Sequence, residues 1–146
     1  MDVQFFYPVS IRQKNSNEFH AIVPGFPDVT ASDTTLEGVL SAVTLALADA
    51  VSRRMRGNRP LPEPSAAQGK GWHWAVLPVL LSAKVALYLA MRRAGISKVA
   101  LARRLQHDEK EVRRLLDPAH PSKLPRIEAA LAVLGMRLVV GLSHQG

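Results

Sequence analysis

Three cations, Lys110, Arg113 and Arg114, fall at i, i+3 and i+4 of the run EKEVRRLL, so on an α-helix they project from one side. Such groups bind anions. Arginine also carries a planar fork of donors that can bond guanine O6 and N7 in a bidentate way, which makes these three the candidate base contacts of a DNA reader. Lys98, Lys123 and Arg126 lie near expected helix starts on either side of the run and are candidates for gripping phosphate, a contact that positions without reading sequence. The competing reading is a solvated helix surface. Charge distribution weighs against it: the 146 residues carry a net +7, and residues 1–60 hold six Lys or Arg against six Asp or Glu, whereas residues 61–146 hold thirteen against six. All the excess lies in the second part, which favours a polyanion as the partner of that part alone.

Catalytic chemistry finds no comparable set of residues. Phosphodiester cleavage with Mg²⁺ needs several converging carboxylates, yet the segments that read as the first two strands contain no Asp or Glu, and the following helix offers only Glu37 and Asp49. The five histidines, His20, His73, His107, His120 and His144, show no metal-ligand spacing. No G-x-S-x-G elbow and no Gly-rich phosphate loop occurs. We therefore expect no enzyme, no catalytic residue, no metal site and no cofactor.

The elements that must position the cations are two short helices within Ser97 to Leu116. Ser97 can cap the first, with Val99, Ala102 and Leu105 as its buried face; Asp108 can cap the second, with Glu111 reaching back to the cap and Val112, Leu115 and Leu116 packing inward. That layout is a helix-turn-helix, whose second helix can enter a major groove about 12 Å wide. Asp117-Pro118 stops the reader, Ser122 can cap a further helix with Pro125 in its first turn, and Gly135 ends it. Arg137 to Leu142 then reads as a short strand that needs a partner.

Upstream, Phe5 to Ile11 and Phe19 to Val23 alternate as a β-hairpin, and Val29 to Ser32 forms a third strand. Thr34 and Glu37 make a T-x-x-E capping box for a helix to about Arg56, striped by Leu36, Val39, Leu40, Val43 and Leu47. NRPLPEPS over 58–65 interrupts the pattern, Trp74 to Leu80 returns to the sheet as a fourth strand, and Leu81 to Arg93 is helical. The Trp72 and Trp74 pair reads as packing rather than as a base-stacking platform, because only Lys70 supplies a nearby cation. The absence of cysteine, of a signal-peptide pattern and of any apolar run near 20 residues points to a cytoplasmic protein with no membrane partner.

FFYPVSI, VPGFPDVTASDTTLEGVLSAV, PLPEPS and DEKEVRRLLDPAHPSKLPRIEAALAVLGMRLVV together resemble the HicB antitoxins of type II toxin-antitoxin systems, along the whole chain. Ser32 departs from the glycine expected in many relatives. The resemblance implies an α+β protein: an N-terminal degenerate ribonuclease-H-like β-β-β-α-β domain over 1–80, with a Pro/Gly-rich segment at 58–72, then a helix-turn-helix domain over 81–146 ending in a short strand. It further implies an antitoxin that neutralises a HicA-like mRNA interferase by direct binding and represses its own operon through operator double-stranded DNA, as a homodimer or tetramer. The alternative from another class is a stand-alone helix-turn-helix transcriptional regulator with a ligand-sensing N-terminal domain. An active ribonuclease-H-like nuclease is a third, opposed by the missing carboxylates.

Overall fold

A computed structural model describes residues 6–63 and 72–142. The elements in chain order are β1 (Phe6–Asn15), β2 (Glu18–Val23), β3 (Phe26–Asp33), α1 (Leu36–Arg56), β4 (Trp72–Val76), α2 (Val79–Ala94), α3 (Lys98–Leu105), α4 (Glu109–Leu116) and α5 (Leu124–Val133). The chain falls into two compact units that divide between Ser82 and Ala83.

In the first unit the strands form one antiparallel sheet in the order β3-β2-β1-β4, with α1 packed against it. Alternation along β1 turns Tyr7, Val9 and Ile11 inward, where they meet Val39, Val43, Leu47 and Val51 of α1. The third strand is longer than the Val29–Ser32 expectation because Gly25, at φ +83°, closes a turn so tight that Phe26 already pairs with Val23. Pro27 is tolerated because β3 is an edge strand. Pro8 sits where β1 has only β4 beside it, since pairing with β2 begins at Ser10. The returning strand joins the sheet as expected, and it does so beside β1, but it spans Trp72–Val76 instead of Trp74–Leu80, because Pro78 starts a helical turn, with the Ser82 N–H bonding its carbonyl. Trp74 meets the Phe6 ring edge-on at 6.2 Å and is otherwise half exposed.

Several local expectations shift. The cap of α1 is Thr35, whose hydroxyl accepts the Gly38 N–H at 2.9 Å, so the Thr34/Glu37 capping box does not form. Thr34 instead donates its N–H to the Asp33 carboxylate at 2.6 Å, and Glu37 stays in the first turn, where its charge suits the helix dipole. Asp49 pairs with Arg53 one turn on. The helix α2 begins at Val79 instead of Leu81, so its first turn belongs to the first unit. The inner face of α3 is Leu101 and Ala102, while Val99 is half exposed. No strand forms over Arg137 to Leu142: the segment pairs with nothing among the described residues, and Val139, Val140 and Leu142 lie exposed. Its alternating pattern had no ladder to join. Part of the 58–72 segment, residues 64–71, lies outside the described residues.

Leu61 is buried, and the Tyr7 hydroxyl donates to the Pro62 carbonyl at 3.0 Å, which ties the chain after α1 back onto β1. Tyr7 also meets Phe26 edge-on at 5.5 Å, and the Arg54 guanidinium lies 4.2 Å over the Phe26 ring. Burial pushes the Tyr7 phenol up from 10.0 to about 12, with Arg54 pulling it down and Glu63 adding to the rise. Between those values the unfolded chain has lost a proton that the folded chain keeps, so stability is intact below pH 10 and falls as pH climbs toward 12. The full loss is ~2–3 kcal/mol at ~1.4 kcal/mol per unit. Urea titrations from pH 9 to 11.5 should show this decline in the first unit, and Tyr7→Phe should flatten it. An equal slope in both proteins would assign the loss elsewhere.

Candidate nucleic-acid interface

The α3–α4 pair is built from local chemistry. Ser97 Oγ accepts the Ala100 N–H at 3.1 Å and Asp108 Oδ1 accepts the Glu111 N–H at 2.9 Å, so each helix start is capped by the residue the sequence marks, each cap contributing about 1 kcal/mol. Between them, Gln106 takes the left-handed conformation at φ 57°, and its N–H and that of His107 close the end of α3 on Ala102 and Arg103. Val112, Leu115 and Leu116 bury one side of α4; Leu101, Ala102, Ile127, Ala130 and Leu131 supply the buried sides of α3 and α5.

The end of α4 is held by a residue that sequence reasoning passed over. Lys84 on α2 has 0% exposure, and its ammonium donates to Arg114 O at 2.9 Å, Asp117 O at 2.7 Å and Ser122 Oγ at 2.9 Å. Three acceptors for three protons suit the charged form. Burial pulls the Lys84 pKa below 10.5, and the Asp117 carboxylate opposes that pull. Ser122 was the expected cap of α5, but its hydroxyl is occupied here. It accepts from Lys84 and donates its one proton to Arg114 O at 3.2 Å, which leaves His120 Nδ1, at 3.0 Å, as a further donor to it. Lys123 takes the cap position of α5 with no side-chain bond, and Pro125 lies in the first turn. The only sequence signal for this clamp is a lone lysine inside an otherwise apolar helical run.

The expected site residues separate into two kinds. Arg113 pairs with Glu109 one turn back at 2.7 Å, Arg114 pairs with Glu111 at 3.4 Å, and Arg126 reaches from α5 to the same Glu111 carboxylate at 2.5 Å. Glu111 therefore does not reach back to the cap but joins α4 to α5. Lys110, Lys98 and Lys123 are exposed and unpaired among the described residues. So are Arg103 and Arg104 in the last turn of α3, two further cations that charge spacing alone could have nominated. No group of three His, Cys, Asp or Glu side chains that could hold a metal is found among the described residues. No helix there is long and apolar enough to cross a membrane.

Lys84→Met keeps the apolar stem and removes the ammonium, taking one donor from each of Arg114 O, Asp117 O and Ser122 Oγ. We expect a loss of about 1–3 kcal/mol in the second unit, read by urea unfolding at pH 7. A variant as stable as the wild type would mean that the clamp carries no net stability.

Residues 6–86 match a family model described as "HicB_like antitoxin of bacterial toxin-antitoxin system". The chain is 31% identical over 140 residues to Antitoxin HicB of Pseudomonas fluorescens (strain Pf0-1), covering 96% of this chain and 95% of that protein. It is 29% identical over 132 residues to Antitoxin HicB 2 of Photorhabdus laumondii subsp. laumondii, covering 90% and 92%. A crystal structure of the N-terminal domain of the Burkholderia pseudomallei antitoxin HicB covers 51% of this chain and 98% of that one, at 17% identity and a TM-score of 0.42, a likeness that carries no argument.

Proposed function

The chain belongs to the HicB-like antitoxin family, whose members are antitoxins and not enzymes, and from that premise we propose that it neutralises a HicA-like mRNA interferase by direct binding and represses its own operon by reading DNA with α4. The family match over residues 6–86 nearly coincides with the first unit, which supports giving toxin binding to that unit. The observation that carries the DNA reading is the α3–α4 pair itself: two capped helices in helix-turn-helix order, the second held at its end by a buried ammonium and exposing Lys110, Arg113 and Arg114. The reader works as a homodimer or tetramer on a palindrome, its copies about 34 Å or a multiple of that apart.

Base and phosphate contacts separate by their salt dependence. Arg113→Ala should weaken operator binding by about 1–3 kcal/mol and relax preference at one position, whereas Lys123→Ala should weaken all duplexes alike and lower the salt slope by about one. Titrations of operator and scrambled duplexes at several salt concentrations give both numbers. If Arg113→Ala and Arg114→Ala both leave operator affinity unchanged, α4 is not the reader.

For the toxin, residues 1–82 co-expressed with a HicA-like toxin should restore growth without the second unit. A fragment that accumulates in folded form and gives no protection would contradict the division of labour.

A further inference from the structure

The proposed reading helix carries two carboxylates among its three cations, and every arginine expected to touch DNA from α4 or α5 is held by one of them. Glu109 takes Arg113 at 2.7 Å, and Glu111 takes both Arg114 at 3.4 Å and Arg126 at 2.5 Å. On a solvated helix, i,i+4 and i,i+3 pairs contribute only about 0.2–0.5 kcal/mol each, a weak reason for acidic residues on a face meant for a polyanion. Their electrostatic effect is larger. A guanidinium beside a carboxylate presents almost no net charge at the distance of a phosphate backbone, yet Glu111 engages only Nη1 of Arg114 and Nη1 of Arg126, leaving the other donors of each fork free. Short directional bonds to a base edge survive such pairing, while the long-range pull on phosphate is cancelled.

We infer that Glu111, seconded by Glu109, is a specificity-determining residue: its single charge offsets one of the two carried by Arg114 and Arg126, as Glu109 offsets Arg113, so that α4 binds DNA more by base readout and holds non-specific duplex more weakly. This rests on the DNA-reading role proposed above. The unpaired cations Lys98, Arg103, Arg104, Lys110 and Lys123 remain as the sequence-independent attraction. Glu111 also spans α4 and α5, so it fixes where the Arg114 fork sits before any DNA arrives.

The test uses the full chain, a duplex from upstream of its own coding frame, and a scrambled duplex of the same length, titrated at salt concentrations from 50 to 300 mM by fluorescence anisotropy. Glu111→Gln, which removes one negative charge, should tighten binding to the scrambled duplex by about tenfold at 0.1 M salt and steepen the salt slope by about one. The operator-to-scrambled ratio should fall. Glu128→Gln adds the same charge on an exposed residue of α5 with no ion-pair partner among the described residues, and it should move the slope far less. Should Glu111→Gln lose its fold, Glu109→Gln, which frees Arg113, makes the same test with a smaller effect. A wild type that favours its operator while Glu111→Gln matches Glu128→Gln on scrambled DNA overturns this inference alone. A wild type that binds both duplexes equally overturns the DNA-reading role, and this inference with it.

Discussion

The Lys84 ammonium has no surface in water, and all three of its protons are spent on groups at one corner of the second unit: Arg114 O, Asp117 O and Ser122 Oγ. That corner needs donors. The last carbonyls of any α-helix lack intrahelical partners, Pro118 has no N–H to give, and the chain must turn between Leu116 and Leu124 to start α5. The turn supplies part of the requirement itself, with Ala119 N–H bonded to the Asp117 carboxylate and His120 N–H to the Asp117 carbonyl. Lys84 supplies the rest from another helix, so the end of α4 is fixed to α2 and not only to its own turn. Burying an ammonium is expensive unless its protons are satisfied, and here they are, with no buried side-chain polar atom left unbonded among the described residues.

In the first unit the corresponding constraint is aromatic and local to the sheet. Tyr7 meets Phe26 edge-on and Arg54 lies over the Phe26 ring, and Arg54 also bonds the Gly25 carbonyl at 3.2 Å and the Asp28 carboxylate at 3.5 Å. The tight turn at Gly25 is thereby pinned to the last turns of α1. A β carbon on Gly25 would sit 2.8 Å from the Pro62 ring, so the same turn also admits the proline-rich segment that Tyr7 holds. Among the carboxylates of this unit, Asp28 and Asp49 pair with arginines, and Asp33 accepts the Thr34 N–H beside the start of α1.

Much of this was legible from local pattern. The Ser97 and Asp108 caps, the stop at Gly135 and the return of a strand to the first sheet each follow from a few neighbouring residues, and the molecule bears them out. Features set by distant partners were not. Ser122 has the right type and place for a helix cap, but Lys84, 38 residues earlier, claims its hydroxyl. Glu111 fits a capping box, but Arg126, 15 residues later, claims its carboxylate. Adjacent threonines made the start of α1 ambiguous by one residue, and a geometric cap at Thr35 resolves it. Arg137 to Leu142 has strand residues without a strand beside them, a reminder that β pattern is realised only through a partner.

If the Lys84 clamp sets the attitude of the proposed reading helix, its removal should damage recognition more than attraction. The direct measurement is operator and scrambled-duplex affinity for Lys84→Met at a temperature where circular dichroism reports native helix content. The account predicts operator affinity at least about tenfold weaker, with scrambled-duplex affinity nearly unchanged, because phosphate attraction depends on charge and base readout on orientation. A folded Lys84→Met that binds its operator as tightly as the wild type would contradict it.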